Sequence, residues 1–139
     1  MSHSSALTPQ SRIRAPVSVE GRDRGTVLAP TLGALSAAEP TVIAPEGELD
    51  IARVGDFRDA LSDAAREGAA AVVVDLSDVS FIDSSGLGAI VELHNRLRRD
   101  GRRLAVVAPG GSGPAVLLDL AGLRGRLTIS DTRGAALDE

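Results

Sequence analysis

Apolar and polar positions change rhythm along this chain, and the rhythm sorts its elements. Thr41 to Ala44 reads as a short strand. Pro45-Glu46-Gly47-Glu48-Leu49-Asp50 follows as a loop, with Asp50 placed to cap a helix. Val54, Phe57, Leu61 and Ala64/Ala65 then recur at helical spacing, while Asp59, Asp63, Arg66 and Glu67 turn to water. Gly68 is a natural stop. Ala71 to Leu76 is apolar on both faces, the pattern of a central parallel strand covered by helices. A short polar loop leads into a second helix over residues 85–99, whose apolar face is Leu87, Ile90, Val91, His94 and Leu97, and Gly101 ends it. Arg103 to Ala108 is another strand, Pro109 to Pro114 a turn, and Ala115 to Leu120 a short helix closing at Gly122. Leu127 to Ile129 is a last short strand, and Asp131 is placed to cap a final helical turn.

The first forty residues carry weaker signals. Residues 1–14 are Ser-rich, polar and aperiodic, as in a disordered tail. Within 15–40, Val17-Ser18-Val19 alternates like an edge strand, and Thr26 to Ala29 is a second candidate. Leu28, Leu32 and Leu35 have helical spacing, but Pro30 and Gly33 interrupt it. One strand and a loose loop before Pro40 are expected. Strand and helix alternate from residue 41 onward, which predicts a single α/β domain over 15–139 with mostly parallel strands.

Composition narrows the chemistry. The 139 residues are enough for one core, here an aliphatic one with two Phe and no Trp or Tyr. No cysteine is present, so a disulfide, a thiol nucleophile and a Cys-ligated metal are all excluded. His3 and His94 alone make a histidine metal site a poor fit. Every basic residue is Arg, which removes a lysine-dependent phosphate loop or Schiff base. The net charge of −4 argues against direct nucleic-acid binding. No apolar run approaches the roughly 20 residues of a membrane span, and Met1 to Ser11 lacks a secretion signal, so a cytoplasmic protein is expected.

The most informative stretch is Asp75-Leu-Ser-Asp-Val-Ser-Phe-Ile-Asp-Ser-Ser-Gly-Leu-Gly88. It delivers Ser84 and Ser85 to a helix start, where free backbone N–H groups and the positive end of the dipole suit an anion. A hydroxyl so placed is either a plain N-cap or the substrate of another enzyme, such as a serine kinase. Asp83 either forms the turn or positions the hydroxyl or a partner. Gly86 allows close approach of a partner, or serves turn chemistry alone, and Gly88 suits tight helix–sheet packing. Asp75 and Asp78 read as loop-turn acids, Glu48 as surface, and His94 as a core or boundary residue. Arg96, Arg98, Arg99, Arg102 and Arg103 suit the negative end of the helix, or dock an acidic partner or lipid surface. The Gly-rich turn at 109–114 lacks the Lys-Ser/Thr ending of a phosphate cradle. A serine hydrolase is disfavoured: the motif is not Gly-x-Ser-x-Gly, and His94 lies roughly 14 Å along the same helix, beyond reach.

Three blocks carry a family resemblance: Gly47-Glu48-Leu49-Asp50, Val79 to Gly88, and Leu117-Leu-Asp-Leu-Ala-Gly-Leu123. Together they resemble the STAS domain, in its bacterial anti-sigma-factor antagonist branch, over about residues 41–130. The resemblance implies a small mixed, mostly parallel sheet of four or five strands, with helices packed mainly on one face. It implies phosphorylation of Ser84, with Ser85 the alternative, by an anti-sigma factor that is also a serine kinase. The unphosphorylated protein would bind that partner and free a sigma factor, and a phosphoprotein phosphatase would reset the switch. The partner surface would include Asp50, Asp83, Ser84, Ser85 and Gly86, and no cofactor, metal or catalytic residue is implied. A monomer suffices. A STAS scaffold in a signalling complex, or a subunit of a lipid or anion transporter, is the alternative. The chain departs from the family in a longer, less strand-like region before Thr41 and a short C-terminus after Asp131.

Overall fold

The computed structural model describes residues 17–20 and 40–137. Two β-segments open it, β1 (Val17–Glu20) and β2 (Thr41–Pro45), then β3 (Gly47–Leu49) and helix α1 (Gly55–Glu67). After them come β4 (Ala71–Asp75), β5 (Val79–Ile82), α2 (Ser84–Arg99), β6 (Arg103–Val107), α3 (Gly113–Leu120), β7 (Thr128–Ser130) and α4 (Arg133–Leu137). The main sheet has the order β1-β2-β4-β6-β7; β1 is antiparallel to β2 and every other pairing is parallel. The mixed, mostly parallel α/β sheet expected from the sequence is therefore present, and Val17-Ser18-Val19 is its edge strand. Thr26 to Ala29, the loop before Pro40 and the tail over 1–14 lie outside the described residues.

Strand β4 shows why the apolar run was needed. Its side chains alternate between the two faces of the sheet. Val72 and Val74 join the main core with Phe57, Leu61, Ile90, Leu93 and Leu97 from α1 and α2. Val73 points the other way, into a small cluster with Val42, Val107 and Ala136 of α4. Helices thus cover mainly one face, with α4 on the other. At about 25 cal/mol per Å² of apolar surface, this two-sided burial makes β4 the anchor of the sheet.

Two segments expected as loops are strands. Gly47–Leu49 and Val79–Ile82 pair in parallel as a separate two-stranded ribbon, with Leu49 opposite Ile82. Leu49, Val79 and Ile82 are buried, so the ribbon gains core contacts as well as hydrogen bonds. Asp50 does not cap a helix: its Oδ1 accepts from Ala52 N (3.1 Å) and Arg53 N (3.0 Å), an Asx turn. Helix α1 begins four residues later, with Val54 at the N-cap and no side-chain cap, and ends at Gly68 in the left-handed region. The face of α2 is also rotated from the expected one: Gly86, Ala89, Ile90, Leu93 and Leu97 are buried, while Leu87, Val91 and His94 lie at its margin. Helix α3 starts at Gly113, two residues earlier than expected, because Ser112 Oγ accepts from Ala115 N. The last helix is capped by Thr132 Oγ1, which accepts from Ala135 N, rather than by Asp131.

Two arginines fasten these layers. Arg102 donates to the carbonyls of Ala64, Ala65 and Ala69 at 3.0, 2.9 and 2.7 Å, which satisfies the end of α1. Arg133 donates to Asp75 Oδ2 and Glu20 Oε1, both at 2.9 Å, tying α4 to the ends of β4 and β1. Asp75, expected as a loop acid, is instead the buried last residue of β4, and its Oδ1 accepts from Ser77 N and Oγ.

Candidate functional site

Strand β5 ends at Ile82 and α2 begins at Ser84, so a single residue, Asp83, separates them. Asp83 holds the N-cap: its backbone is extended and its Oδ1 accepts from Ser85 N at 2.8 Å. The helix therefore has its capping oxygen without recruiting Ser84, which rules out the plain N-cap reading of that serine. Ser84 occupies the first helical position and is exposed. Among the described residues its hydroxyl has no hydrogen-bond partner, and no histidine or carboxylate bonds either serine hydroxyl.

The Asp50 loop meets this helix start. Asp83 N donates to Leu49 O (3.2 Å), and Asp83 Oδ2 accepts from Ile51 N (3.2 Å). Asp50, Asp83, Ser84 and Ser85 thus converge at the carboxyl ends of β3 and β5, the place where open α/β sheets usually present ligand sites. Asp50 is also ion-paired to Arg53, which reaches Glu48 at 3.3 Å. Arg58 of α1 donates to Ser85 O and Glu92 Oε1, both at 3.3 Å. Sequence reasoning did not single out Arg53 or Arg58: Arg53 pairs locally with Asp50, three residues before it, while the partners of Arg58 come from α2.

Gly86 sits under this corner. A methyl group there would lie 2.8 Å from Ile82 Cγ1 and 3.1 Å from the Leu49 carbonyl oxygen, so the first turn of α2 needs glycine to lie on the ribbon. Gly88 has nothing within 4 Å of that position, and the packing role expected for it belongs to Gly86. Exposed apolar side chains lie on the elements next to this corner. Ile51 is 78% exposed and Phe81 48%. Helix α3 packs along β5 and adds exposed Val116 and Leu120. These side chains were also missed from sequence, because alternation along β5 would put Phe81 on the face of buried Val79, whereas the strand buries its two ends and exposes Ser80 and Phe81.

His94 lies at the core boundary, at the other end of α2. Burial holds its imidazole below the ordinary histidine range, and the charges of Arg98 and Arg126 add to this. Among the described residues there is no group of three or more His, Asp or Glu that could hold a metal, and no helix long and apolar enough to cross a membrane.

Comparison with solved structures returns the same architecture. An anti-sigma factor antagonist from Mycobacterium paratuberculosis superposes with a TM-score of 0.69 at 22% identity, over 88% of this chain and 92% of that one. A Thermotoga maritima protein assigned as an anti-sigma factor antagonist gives 0.65 at 29% identity, over 71% and 85%. The anti-sigma factor antagonist SpoIIAA in its unphosphorylated form gives 0.58 at 26% identity, over 72% and 87%; the Bacillus protein has also been solved phosphorylated. The sequence model of the STAS domain matches residues 34–136, which span the main sheet from β2 onward and the serine corner. The chain belongs to the STAS domain family.

Proposed function

We infer that this protein is an anti-sigma factor antagonist whose docking to a serine-kinase anti-sigma factor is ended by phosphorylation of Ser84. One observation carries the reading. Asp83 does the capping, so the Ser84 hydroxyl at the first position of α2 is exposed and, among the described residues, unengaged. Among the described residues no base is hydrogen-bonded to it, so it is chemically passive, as a substrate for another enzyme should be. The structural relatives named as anti-sigma factor antagonists support the partner class. Exposed Ile51 and Phe81 support a protein partner, since such side chains gain by being covered.

The switch acts at the surface. A phosphate adds about −1.5 to −2 charges at pH 7. At a helix N-terminus it is tolerated or favoured by roughly 0.3–1 kcal/mol, so the fold survives. Asp83 adjoins it, which raises the negative charge met by a partner. Weakening association by about 2.7 kcal/mol lowers affinity roughly a hundredfold. A phosphatase would restore the docking surface.

The test is incubation with a cognate serine-kinase anti-sigma factor and ATP. One added phosphate located on Ser84 by fragment mass spectrometry, with release of the partner, is expected, while far-UV circular dichroism stays unchanged. A Ser84→Ala variant released by ATP as fast as wild type, or a phosphate found on Ser85, overturns the assignment.

A further inference from the structure

A cleft of about 310 Å³ opens at the end of the sheet away from Ser84. It lies at the amino ends of β4 and β6, between the last turns of α2 and the end of α4. By helical rise, His94 and Arg98 stand roughly 15–21 Å along α2 from Ser84. The cleft therefore belongs to a different part of the molecule from the phosphorylation corner.

Its lining is divided by polarity. Val73, Leu104, Ala136 and Leu137 give it apolar walls, and His94 and Arg98 bring cationic side chains to it from α2. Arg102 also lines it, but its guanidinium is committed to the carbonyls of α1. Arg103 lines it as well and is not free, and among the described residues no carboxylate lines the cleft. Among the described residues Arg98 has no carboxylate partner. Burial lowers the basicity of His94, and the charges of Arg98 and Arg126 add to this. The carbonyls at the end of α2 are not a competing anion, because the N–H groups of Asp100, Gly101 and Arg102 take those of Leu97 and Arg98.

These features select a ligand class. The volume is at the low end of the roughly 300–1,000 Å³ usual for small-molecule sites. No Phe, Tyr or Trp lines it for a base to stack on. One uncommitted guanidinium beside a largely neutral imidazole suits a single negative charge, and a planar carboxylate matches the guanidinium fork. The geometry points to a binding site for a small amphipathic monoanion, a medium-chain carboxylate, with its head on Arg98 and its tail against Leu104 and Ala136.

The test is calorimetric titration of the full chain with decanoate below its micelle concentration, with decanol and ATP as comparators, and amide chemical shifts to place the ligand. Saturable decanoate binding is expected, with shifts at Leu104 and Ala136 and none at Ser84. Arg98→Glu should weaken it by about tenfold or more, and decanol should bind at least about tenfold more weakly than decanoate. Arg98 is exposed, so the variant should fold, which circular dichroism checks. Ser84→Ala should bind as wild type does. Absence of binding at millimolar decanoate overturns the proposal. So does equal affinity for decanol, indifference to Arg98→Glu, or tighter binding of ATP at the same residues. None of these outcomes bears on phosphorylation of Ser84, so the two readings stand or fall separately.

Discussion

The carboxylate of Asp83 accepts the backbone N–H of Ile51, 32 residues earlier in the chain, while its other oxygen accepts that of Ser85. One side chain therefore both caps α2 and clasps the Asp50 loop to the serine corner. Asp83→Ala should lose both bonds. Loss of a helix cap costs about 0.5–2 kcal/mol, and the released loop adds to it. Urea denaturation should show a lower midpoint with an unchanged slope, and amide exchange should rise at Ile51 and Ser85 together. Exchange rising at Ser85 alone would mean that the clasp to Ile51 contributes nothing.

Two glycines two residues apart should respond oppositely to alanine. Gly86→Ala drives a methyl into Ile82 and the Leu49 carbonyl, and overpacking of this kind costs about 1–3 kcal/mol. Gly88→Ala meets open space inside a helix, where alanine is favoured by roughly 0.5–1 kcal/mol. Thermal melts of the two variants should move in opposite directions from wild type. If Gly86→Ala melts like wild type, the fit of α2 on the β3–β5 ribbon is looser than these distances imply.

Legibility from sequence followed the range of the forces involved. Periodicity exposed both long helices and the edge strand at Val17-Ser18-Val19, because burial of one face writes a repeating pattern into consecutive residues, and an unbroken apolar run exposed β4, which is buried on both faces. It concealed β3 and β5, which are 3 and 4 residues long and whose strand character depends on each other across the fold. The serine loop stood out as a motif, yet Asp83 was not read as its cap: Ser and Asp are near-equal N-caps, and only the backbone decides which sits at the boundary. Arg102 was grouped with the cluster at the end of α2, whereas its guanidinium serves the end of α1, a pairing that spans 37 residues at Ala65. Charge clusters are visible in a sequence, but the partner each charge meets is tertiary information.

That misassigned arginine yields a prediction of its own. Its side chain is only 13% exposed and satisfies three carbonyls. Hydrogen bonds from charged groups contribute about 1.5–3 kcal/mol each in favourable cases, and they are not additive. Arg102→Ala should destabilise by about 2–4 kcal/mol, and Arg102→Lys should recover less than half, since an ammonium cannot reproduce the fork. Arg99→Ala, at an exposed neighbouring position, should stay within about 0.5 kcal/mol of wild type. Denaturant midpoints of the three variants decide it; a lysine as stable as arginine would indicate that charge at the end of α1 matters rather than geometry.

Asp75 sets the acid response of the fold. Burial pushes its carboxyl upward, but hydrogen bonds from Ser77 and the pairing with Arg133 outweigh this and hold it below the ordinary aspartate value of 3.8. A carboxyl depressed in the folded state binds its proton more readily when unfolded, so its contribution is fully present above about pH 4 and is lost as pH falls through the folded value. Asp75→Asn removes the charge that Arg133 meets while keeping an oxygen for Ser77. At pH 7 the variant should be less stable by about 1–3 kcal/mol, the range for hydrogen bonds to charged groups. Below pH 4 the gap to wild type should narrow, because the wild-type carboxyl is then being protonated too. Stability curves from pH 7 down to pH 2.5 test this directly. A gap that stays constant over the whole range would show that Asp75 acts through shape, and that α4 is held to the sheet by the Val73–Ala136 contact rather than by the ion pair.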